Sequence, residues 1–313
     1  MKFGVVMDPI GSINFKKDST LSILIEAQSR NHNLIYMEPS SLFLKEDGAY
    51  ALTQEIKVRD DSENWFELST TSEMLLSDLD MIVMRQDPPF DANYIYNTYV
   101  LEAAERKGVI VVNKPQSLRD CNEKVFATEF PQCCTPFLVT SNQSLLKEFI
   151  KEHLDTVVKP LDGMGGASIF RVRSLDPNIA VILENITENG ETKVMIQKYI
   201  PEIVEGDKRI LLIDGVPMEG AIARVPAEGE LRGNLAAGAS AVARSLTTQD
   251  KWICDQVGPH LKELGLTLVG LDVIGDYLTE VNVTSPTCFR EYKNLCDIDV
   301  ASNFLDCLET KLT

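Results

Sequence analysis

A glycine-rich segment between two strand-like stretches limits most strongly how this chain can fold. The β-branched run Thr156-Val157-Val158 precedes it and residues 169–172 follow it, so the pattern predicts a hairpin with its loop at residues 159–168. Three of the four residues at 163–166 are glycine, which permits positive φ and lets successive N–H groups converge on one anion. Lys159 adds a positive charge at the mouth of the loop. The segment indicates a phosphate-binding hairpin, and a flexible hairpin without a ligand is the alternative.

The loop does not match the common phosphate-binding motifs that open a helix. It contains neither GxxxxGK[ST] nor GxGxxG, and no helix is predicted directly after it. The first predicted strand also lacks the glycine fingerprint of dinucleotide-binding folds, which argues against a dinucleotide there. A phosphate held by this chain is therefore expected between two strands.

Length and charge narrow the class of protein further. With 313 residues the chain has room for two or three modules around a sizeable core. The net charge of −17 argues against general binding to nucleic acid or to an anionic membrane. An anionic ligand must then be held by local lysine and arginine clusters. We expect small-molecule ligands and no nucleic-acid or membrane partner.

The remaining composition indicates a cytoplasmic protein with reduced thiols. The apolar runs are far shorter than the ~20 residues that span a bilayer, and the N-terminus lacks the pattern of a signal peptide. The seven cysteines include no CxxC pair and have no disulfide-framework spacing. With only three histidines, a zinc site is not expected.

Residues 1–120 alternate predicted strands and helices, which indicates a mainly parallel sheet covered on both faces. The pattern predicts strands at 3–7, 34–37, 80–84 and 110–112, helices at 17–30 and 93–107, and a hairpin at 42–57 around Asp47-Gly48. Arg85 follows a buried strand, where open α/β sheets place ligand groups. A structural ion pair with Asp87 is the alternative for Arg85.

The second half of the chain mixes strands, helices and one long loop. The pattern predicts helices at 117–130, 145–153, 177–189, 248–264 and 300–312, and strands at 137–140, 194–200, 207–213 and 217–225. Residues 226–240 are rich in glycine and alanine and show no apolar periodicity. A loop of this length in a compact domain is usually functional or disordered.

A predicted hairpin at residues 268–283 carries oxygen ligands within apolar strands. Asp272, Glu280 and Asn282 are these ligands, and Glu280 and Asn282 share a face because they are two residues apart. Such hard ligands suit Mg²⁺ bound to nucleotide phosphates. A solvent-facing edge hairpin with hydrated acids is the alternative.

The register of this hairpin decides whether its acids meet. A two-residue turn at Gly275-Asp276 would pair Asp272 with Thr279 and place Glu280 on the other face. Bringing Asp272 beside Glu280 requires a three-residue loop, residues 275–277, or a β-bulge. We expect the three-residue loop.

Together these features resemble the ATP-grasp ligases. They are a lysine before a short helix, a lysine followed by a glycine-rich hairpin, a strand that ends near residues 197–200, and the Asp…Glu-x-Asn pattern. The chain is more closely similar to the bacterial glutathione synthetases over residues 1–300. The stretches that carry the similarity are Met7-Asp8-Pro9 and residues 84–91, 113–124, 159–171, 233–238 and 280–287.

The resemblance implies an N-terminal α/β domain of the pre-ATP-grasp, Rossmann-like type at residues 1–120, followed by an ATP-grasp fold at 121–313. The ATP-grasp part would comprise two α+β subdomains, a glycine-loop subdomain at about 124–200 and a Mg²⁺ and substrate subdomain at about 201–313. Residues 226–240 would be the lid. The implied assembly is a homotetramer.

The resemblance also implies the activity. ATP would drive ligation of γ-L-glutamyl-L-cysteine to glycine through an acyl phosphate, with glutathione, ADP and phosphate as products. Two Mg²⁺ ions would be required, with Mn²⁺ as a substitute. Another ATP-grasp carboxylate–amine ligase and a non-catalytic ATP-binding module are the alternatives. The intact pattern of lysines and hairpin ligands argues against the second.

The resemblance also implies the site residues, which are the positions of this sequence that match the functional residues of the family. ATP would be bound by Lys124, Lys159, Gly163, Met164, Gly165, Gly166, Gln197, Lys198, Tyr199, Ile200 and Asp207, with Asp207 at the ribose. The metal would be held by Asp272, Glu280 and Asn282. Arg209, Arg224 and Arg232 would be catalytic and would also contact the substrate, together with Arg85, Ser285 and Thr287. In the lid, Ala239 stands where the family commonly has a second glycine, and a positive φ there would disturb lid closure.

Overall fold

The computed structural model describes residues 1–163, 166–230, 233, 235 and 238–312 of the chain. These residues form three β-sheets that follow one another along the sequence, with helices packed on them. The architecture is the mixed α/β fold that the sequence predicts. Within the described ranges, no helix combines the length and apolar character needed to cross a bilayer.

The first sheet is parallel at its centre. Its strands are β1 (Lys2–Met7), β2 (Asn33–Met37), β3 (Leu42–Lys45), β4 (Gly48–Val58), β5 (Phe66–Leu68), β6 (Ser72–Leu75), β7 (Met81–Arg85) and β8 (Ile110–Val112). The order is β3-β4-β2-β1-β7-β8, with β5 and β6 also paired to β4. Strands β2, β1, β7 and β8 run parallel, as the strand–helix alternation predicts, whereas the pairs made by β4 are antiparallel.

Two helices cover this sheet, and each begins at an aspartate. Helix α1 (Ser19–Ser29) is capped by Asp18, whose side chain accepts a hydrogen bond from the Leu21 N–H. Helix α2 (Ala92–Glu105) is capped in the same way by Asp91. Because a carboxylate at the N-cap satisfies a helix-terminal N–H group, both helices start within two residues of the predicted position.

The helix predicted over residues 117–130 is wrong in its extent. Helix α3 (Pro115–Asp120) ends after six residues, and Cys121 leaves helical geometry at φ −106° and ψ 81°. The side chain of Asn122 accepts hydrogen bonds from the N–H groups of Lys124 and Val125 and forms a local turn instead. Lys124 therefore projects from a turn rather than from a helix.

The second sheet is wholly antiparallel. It contains β9 (Phe137–Thr140), β10 (Asp155–Pro160), β11 (Phe170–Arg173) and β12 (Val194–Lys198) in the order β11-β10-β12-β9. Helices α4 (Gln143–His153) and α5 (Ile179–Ile186) pack on it around a separate apolar cluster. Val158 pairs with Phe170, so the glycine-rich segment is the loop of a β10–β11 hairpin, as predicted.

The third sheet is also antiparallel and forms the floor of the candidate site. Its strands are β13 (Asp207–Ile213), β14 (Val216–Pro217), β15 (Gly220–Val225), β16 (Ser240–Ser245), β17 (Leu268–Ile274) and β18 (Tyr277–Asn282), in the order β16-β15-β13-β17-β18. Its helices are α6 (Thr248–Glu263), the short α7 (Phe289–Glu291) and α8 (Val300–Thr310). The sequence pattern did not predict β5, β6 or β16.

The first and third sheets share their apolar core. One buried cluster joins Val6 and Ile82 of the first sheet to Leu212 and Leu271 of the third, whereas the second sheet has a cluster of its own. The first sheet therefore supports the third directly, and the second sheet packs around its own core.

The hydroxyl of Tyr292 links two neighbouring strands of the third sheet, β13 and β15. It accepts from the Leu211 N–H at 3.1 Å and lies 3.0 Å from the Arg209 carbonyl and 2.8 Å from the Gly220 carbonyl. We expect Tyr292→Phe to lower the free energy of unfolding by about 1–3 kcal/mol, since buried polar groups lose their partner. Urea unfolding monitored by circular dichroism measures the loss.

Tyr94→Phe is the matched control for that variant. Tyr94 is also fully buried, but its hydroxyl has no hydrogen-bond partner among the described residues. Removing this hydroxyl is expected to leave the free energy of unfolding nearly unchanged. Equal losses in the two variants would contradict the role given to the Tyr292 hydroxyl.

Candidate active site

A cavity of about 750 Å³ lies between the second and third sheets. The described ATP-site and metal-site residues predicted from the sequence all line it, as do Arg209, Arg224, Ser285 and Thr287. Met164, Gly165 and Arg232 lie outside the described residues. The arrangement brings groups that are more than 150 residues apart in the chain, such as Lys124 and Glu280, to one place.

Charged residues of neighbouring strands face one another across the floor. Arg209 on β13 pairs in register with Asp272 on β17, and Asp272 pairs with Glu280 on β18. Arg209 donates two hydrogen bonds to the Asp272 carboxylate, at 2.6 and 3.0 Å. Although burial opposes ionisation of Asp272, the two guanidinium groups of Arg209 and Arg224 hold its pKa far below the usual range.

Arg224 joins Asp207 to the same network. Its guanidinium is hydrogen-bonded to Asp207 and lies 2.9 Å from the Asp272 carboxylate. Burial raises the pKa of Asp207 to about 7, although Arg224 opposes the shift. One carboxylate oxygen of Asp207 is buried without a hydrogen-bond partner in the described part of the chain. That oxygen can accept a hydrogen bond from a ligand hydroxyl.

Two buried lysines, Lys159 and Lys124, lie close to the Glu280 carboxylate. Lys159 Nζ lies 3.4 Å from a Glu280 carboxylate oxygen and donates to the Thr279 carbonyl at 3.2 Å. Lys124 Nζ lies 3.8 Å from the same Glu280 oxygen and donates to the Gly163 carbonyl at 2.8 Å. Both lysines therefore reach the point where the glycine-rich hairpin meets the floor.

Glu123 is a cavity residue that the sequence analysis missed. Its carboxylate is hydrogen-bonded to Lys124, and its backbone carbonyl accepts from the Val281 N–H at 2.8 Å. Burial and the nearby Glu280 carboxylate raise the pKa of Glu123. Its position directly before Lys124 was the signal available in the sequence, but a Glu-Lys pair is common on protein surfaces.

The register prediction for the β17–β18 hairpin is wrong in its choice of loop. Ile274 pairs with Tyr277, so the turn has the two residues Gly275 and Asp276. A β-bulge between Asp272 and Val273 then inserts Thr279 and restores the pairing of Asp272 with Glu280. The Thr279 hydroxyl donates to the Asp272 carbonyl at 3.1 Å and fixes the bulge.

The hairpin ligands fit a magnesium site. Among the described residues no group of three or more His, Cys, Asp or Glu side chains is placed to hold a metal. The predicted ligand set, Asp272, Glu280 and Asn282, consists of two carboxylates and one amide. Asn282 donates from its amide nitrogen to the Gly270 carbonyl at 3.1 Å, which fixes the orientation of its amide oxygen. Mg²⁺ commonly takes one or two carboxylates and completes its shell with water and phosphate.

The end of β12 forms the opposite wall. The N–H groups of Lys198 and Tyr199 donate to the carbonyls of Pro136 and Asp155, so both amides already have protein partners. The guanidinium of Arg171 lies 3.6 Å from the centre of the Tyr199 ring and forms a bidentate ion pair with Asp155. These contacts hold residues 197–200 in place at the cavity edge.

Arg85 is the described site residue that does not line the cavity. It is 3% exposed and donates to the Thr20 hydroxyl and to the Pro286 carbonyl, at 3.1 and 2.9 Å. Ser285 donates to the Arg85 carbonyl at 3.4 Å. Arg85 thus connects the end of β7 to the loop that places Ser285 and Thr287 in the cavity.

The described part of the 226–240 loop lies over the floor. A Cβ atom at Gly233 would come within 2.8 Å of the Asp207 Cβ and 3.0 Å of the Arg224 carbonyl oxygen. Leu235 packs against the apolar core. Positive φ occurs at Gly238 but not at Ala239, so the alanine at position 239 causes no backbone strain here.

Comparisons with known proteins identify the family of the chain. The family model described as the prokaryotic glutathione synthetase N-terminal domain matches residues 1–119, and the one described as its ATP-grasp domain matches residues 123–297. The chain is 54% identical to the glutathione synthetase of Pseudomonas aeruginosa, covering 100% of this chain and 98% of that protein. It is 51% identical to the glutathione synthetase of Vibrio cholerae, again covering 100% of this chain and 98% of that protein.

Solved structures resemble the fold at lower sequence identity. D-cycloserine synthetase DcsG superimposes with a TM-score of 0.70 at 15% identity and covers 100% of both chains. The ATP-grasp ligase PsnB, complexed with minimal precursor, Mg and ADP, gives a TM-score of 0.65 at 16% identity and covers 99% of this chain and 98% of that one. The chain therefore belongs to the prokaryotic glutathione synthetase family, whose members are ATP-dependent ligases with an ATP-grasp fold.

Proposed function

We propose that the cavity ligates γ-L-glutamyl-L-cysteine to glycine and converts ATP to ADP and phosphate, with glutathione as product. The observation that carries this proposal is the convergence of two buried lysines, two buried arginines and the hairpin carboxylates on one cavity. A carboxylate is a poor electrophile, so the dipeptide carboxylate first attacks the γ-phosphate and becomes an acyl phosphate. The glycine amine then adds to the acyl carbon, and phosphate leaves.

The nucleotide would lie between the second and third sheets. Lys124 and Lys159 would bind its phosphates beneath the glycine-rich hairpin, residues 163–166. The base would lie against residues 197–200, where the N–H of Ile200 is the natural donor because those of Lys198 and Tyr199 are already used. The buried Asp207 oxygen without a protein partner would accept a hydrogen bond from a ribose hydroxyl.

Asp272, Glu280 and Asn282 would hold divalent metal, which we propose to be two Mg²⁺ ions, with Mn²⁺ as a substitute. When bound, the metal would neutralise phosphate charge during transfer. Arg209 and Arg224 form ion pairs with Asp272, and Lys159 and Lys124 lie close to Glu280.

The arginines would bind the anionic groups of the reactants. Arg209 and Arg224 lie on the floor and are held by Asp272 and Asp207, so their guanidinium groups are already oriented for a carboxylate or a transferring phosphoryl group. Ser285 and Thr287 would contact the dipeptide, and Arg85 would support their loop. Arg232 remains a prediction because it lies outside the described residues.

The larger-scale organisation is proposed from the same resemblance. We place the N-terminal domain at residues 1–120 and the ATP-grasp domain at 121–313, with its two subdomains meeting near residue 200. Residues 226–240 would act as the lid that excludes water from the acyl phosphate. We expect a homotetramer, which light scattering can test.

The function is tested by leaving out one reactant at a time. ADP release and glutathione formation are measured with Mg-ATP, γ-glutamylcysteine and glycine. We expect glutathione only when all three are present. ADP release without glycine would indicate an acyl phosphate that is lost to water, whereas ATP binding without turnover would refute the synthetase proposal and point to another ligase substrate.

The close packing of Gly233 against the floor gives a prediction about the lid. Because an added Cβ would collide with Asp207 and Arg224, Gly233→Ala should displace the loop. We expect kcat/KM to fall about a hundredfold, as for a misplacement of about 1 Å. We also expect more ADP to be released than glutathione formed, and coupled assays of both products measure this ratio.

Gly11→Ala is the control for the lid variant. Its added Cβ would come no closer than 3.7 Å to another atom, an ordinary contact, and Gly11 has no positive φ. This variant should keep the activity and the one-to-one ratio of ADP to glutathione. A Gly233→Ala protein with the same ratio would contradict the proposed seating of the lid.

A further inference from the structure

The side chain of Asn113 makes three buried hydrogen bonds to the third sheet. Asn113 follows β8, is 3% exposed, and does not line the cavity. Its amide nitrogen donates to the carbonyls of Leu268 and Val283, at 2.8 and 2.6 Å. Its amide oxygen accepts from the Leu268 N–H at 2.9 Å. Both hydrogens of the amide group and its oxygen are therefore used.

The partners of Asn113 lie at the open end of the hairpin that carries the candidate metal ligands. Leu268 is the first residue of β17, and Val283 directly follows β18. Val283 is one residue from Asn282 and three residues from Glu280. A single side chain thus holds both strands at the end opposite their turn.

The hairpin needs such an anchor because β18 is the edge strand of its sheet. On its outer side β18 has the bond from the Val281 N–H to the Glu123 carbonyl in place of a strand ladder, and a shift of one residue in its pairing would move every side chain to the other face. The bulge at Thr279 already departs from regular pairing. Holding Leu268 and Val283 at fixed positions keeps Glu280 and Asn282 on the face of Asp272.

We propose that Asn113 is a positioning residue that fixes the register of the β17–β18 hairpin, so that the first sheet controls metal affinity at the floor. This inference rests on the proposed function, in which Asp272, Glu280 and Asn282 hold the metal. Among side chains of this size, only the carboxamide supplies two donors and one acceptor. Aspartate keeps the shape but has no donor for the two carbonyls.

The test is Mn²⁺ titration in the presence of ADP, with free Mn²⁺ measured by electron paramagnetic resonance. We expect Asn113→Asp to weaken Mn²⁺ binding about 10–100-fold, the usual effect of losing a group that orients metal ligands. In the metal-free protein, hydrogen exchange at the Leu268 and Val281 amides should become faster, since both report on the seating of the hairpin.

Gln28→Glu is the matched control. Gln28 lies on α1, and its amide donates to the carbonyl and accepts from the N–H of Val58 on β4, both at 2.8 Å and away from the hairpin. It undergoes the same change from amide to carboxylate and loses the same kind of hydrogen bond. Its Mn²⁺ affinity should equal that of the original protein even where its stability falls.

The outcomes separate the inference from the proposed function. Unchanged affinity in Asn113→Asp, together with lost affinity in Glu280→Gln, would overturn the role of Asn113 alone. Unchanged affinity in both variants would overturn the metal assignment and the inference with it. If Asn113→Asp does not fold, Asn113→Ser keeps one donor and is titrated in its place, with weaker Mn²⁺ binding again expected.

Discussion

Asp272→Asn is expected to lower the free energy of unfolding by about 3–5 kcal/mol, because it breaks a buried ion pair and leaves a guanidinium without its carboxylate. Asp272 accepts from Arg209 and lies close to Arg224, and all three side chains are almost fully buried. Synthetase activity should be lost in the same variant. Urea unfolding and glutathione formation measure the two effects.

A double variant separates the two effects of Asp272. Asp272→Asn combined with Arg209→Met removes both charges of the buried pair, so the Arg209 guanidinium is no longer left buried without its carboxylate. We expect most of the lost free energy of unfolding to return while the activity stays absent. A double variant no more stable than the single one would show that Arg209 is not the group left uncompensated.

Glu280→Gln is expected to reduce kcat on the order of a thousandfold, equivalent to about 4 kcal/mol of transition-state stabilisation by metal. Its effect on folding should be smaller than that of Asp272→Asn. Lys124 retains the Glu123 carboxylate and the Gly163 carbonyl, and Lys159 retains the Thr279 carbonyl. Asp272 and Glu280 are cross-strand partners, yet only Asp272 is needed to neutralise a buried guanidinium.

Activity across a Mg²⁺ titration, with parallel unfolding curves, checks this prediction. Glu219→Gln is the control, since Glu219 is an exposed carboxylate just before β15 and lies outside the cavity lining. It should leave kcat and the Mg²⁺ dependence unchanged. A Glu280→Gln protein that recovers full activity at high Mg²⁺ would show weakened metal binding without a direct effect on the transfer step.

Elements with strong local signals were predicted well. Strand β13 has its predicted bounds, and α6 begins at the predicted Thr248 because Thr247 and Asp250 form a capping box. The glycine-rich hairpin and the parallel centre of the first sheet were also predicted. For β13, α6 and the hairpin, apolar periodicity and a turn or cap residue agree, so neighbouring residues carry most of the signal. The parallel pairing of the first sheet follows instead from the alternation of strands and helices.

Elements that depend on distant partners were not predicted. The bulge at Thr279, which the sequence analysis named only as the alternative to a three-residue loop, is stabilised by bonds to Asp272 and to Lys159, which is 120 residues away. The break before Lys124 follows from the side chain of Asn122, which also donates to the Leu161 carbonyl in the glycine-rich hairpin. In both places tertiary contacts override the regular local pattern, and both places lie in the candidate site.

The hydrogen bonds of Asn113 have a consequence for how the chain folds during its synthesis on the ribosome. Asn113 is separated from its partners Leu268 and Val283 by 155 and 170 residues. During synthesis the first sheet and the glycine-rich hairpin emerge well before the strands that they hold. Because contacts of such long range close late, the floor is completed last. A partly made chain therefore carries Lys124 and Lys159 without a finished floor, and under the proposed function it would not consume ATP before β17 and β18 have emerged.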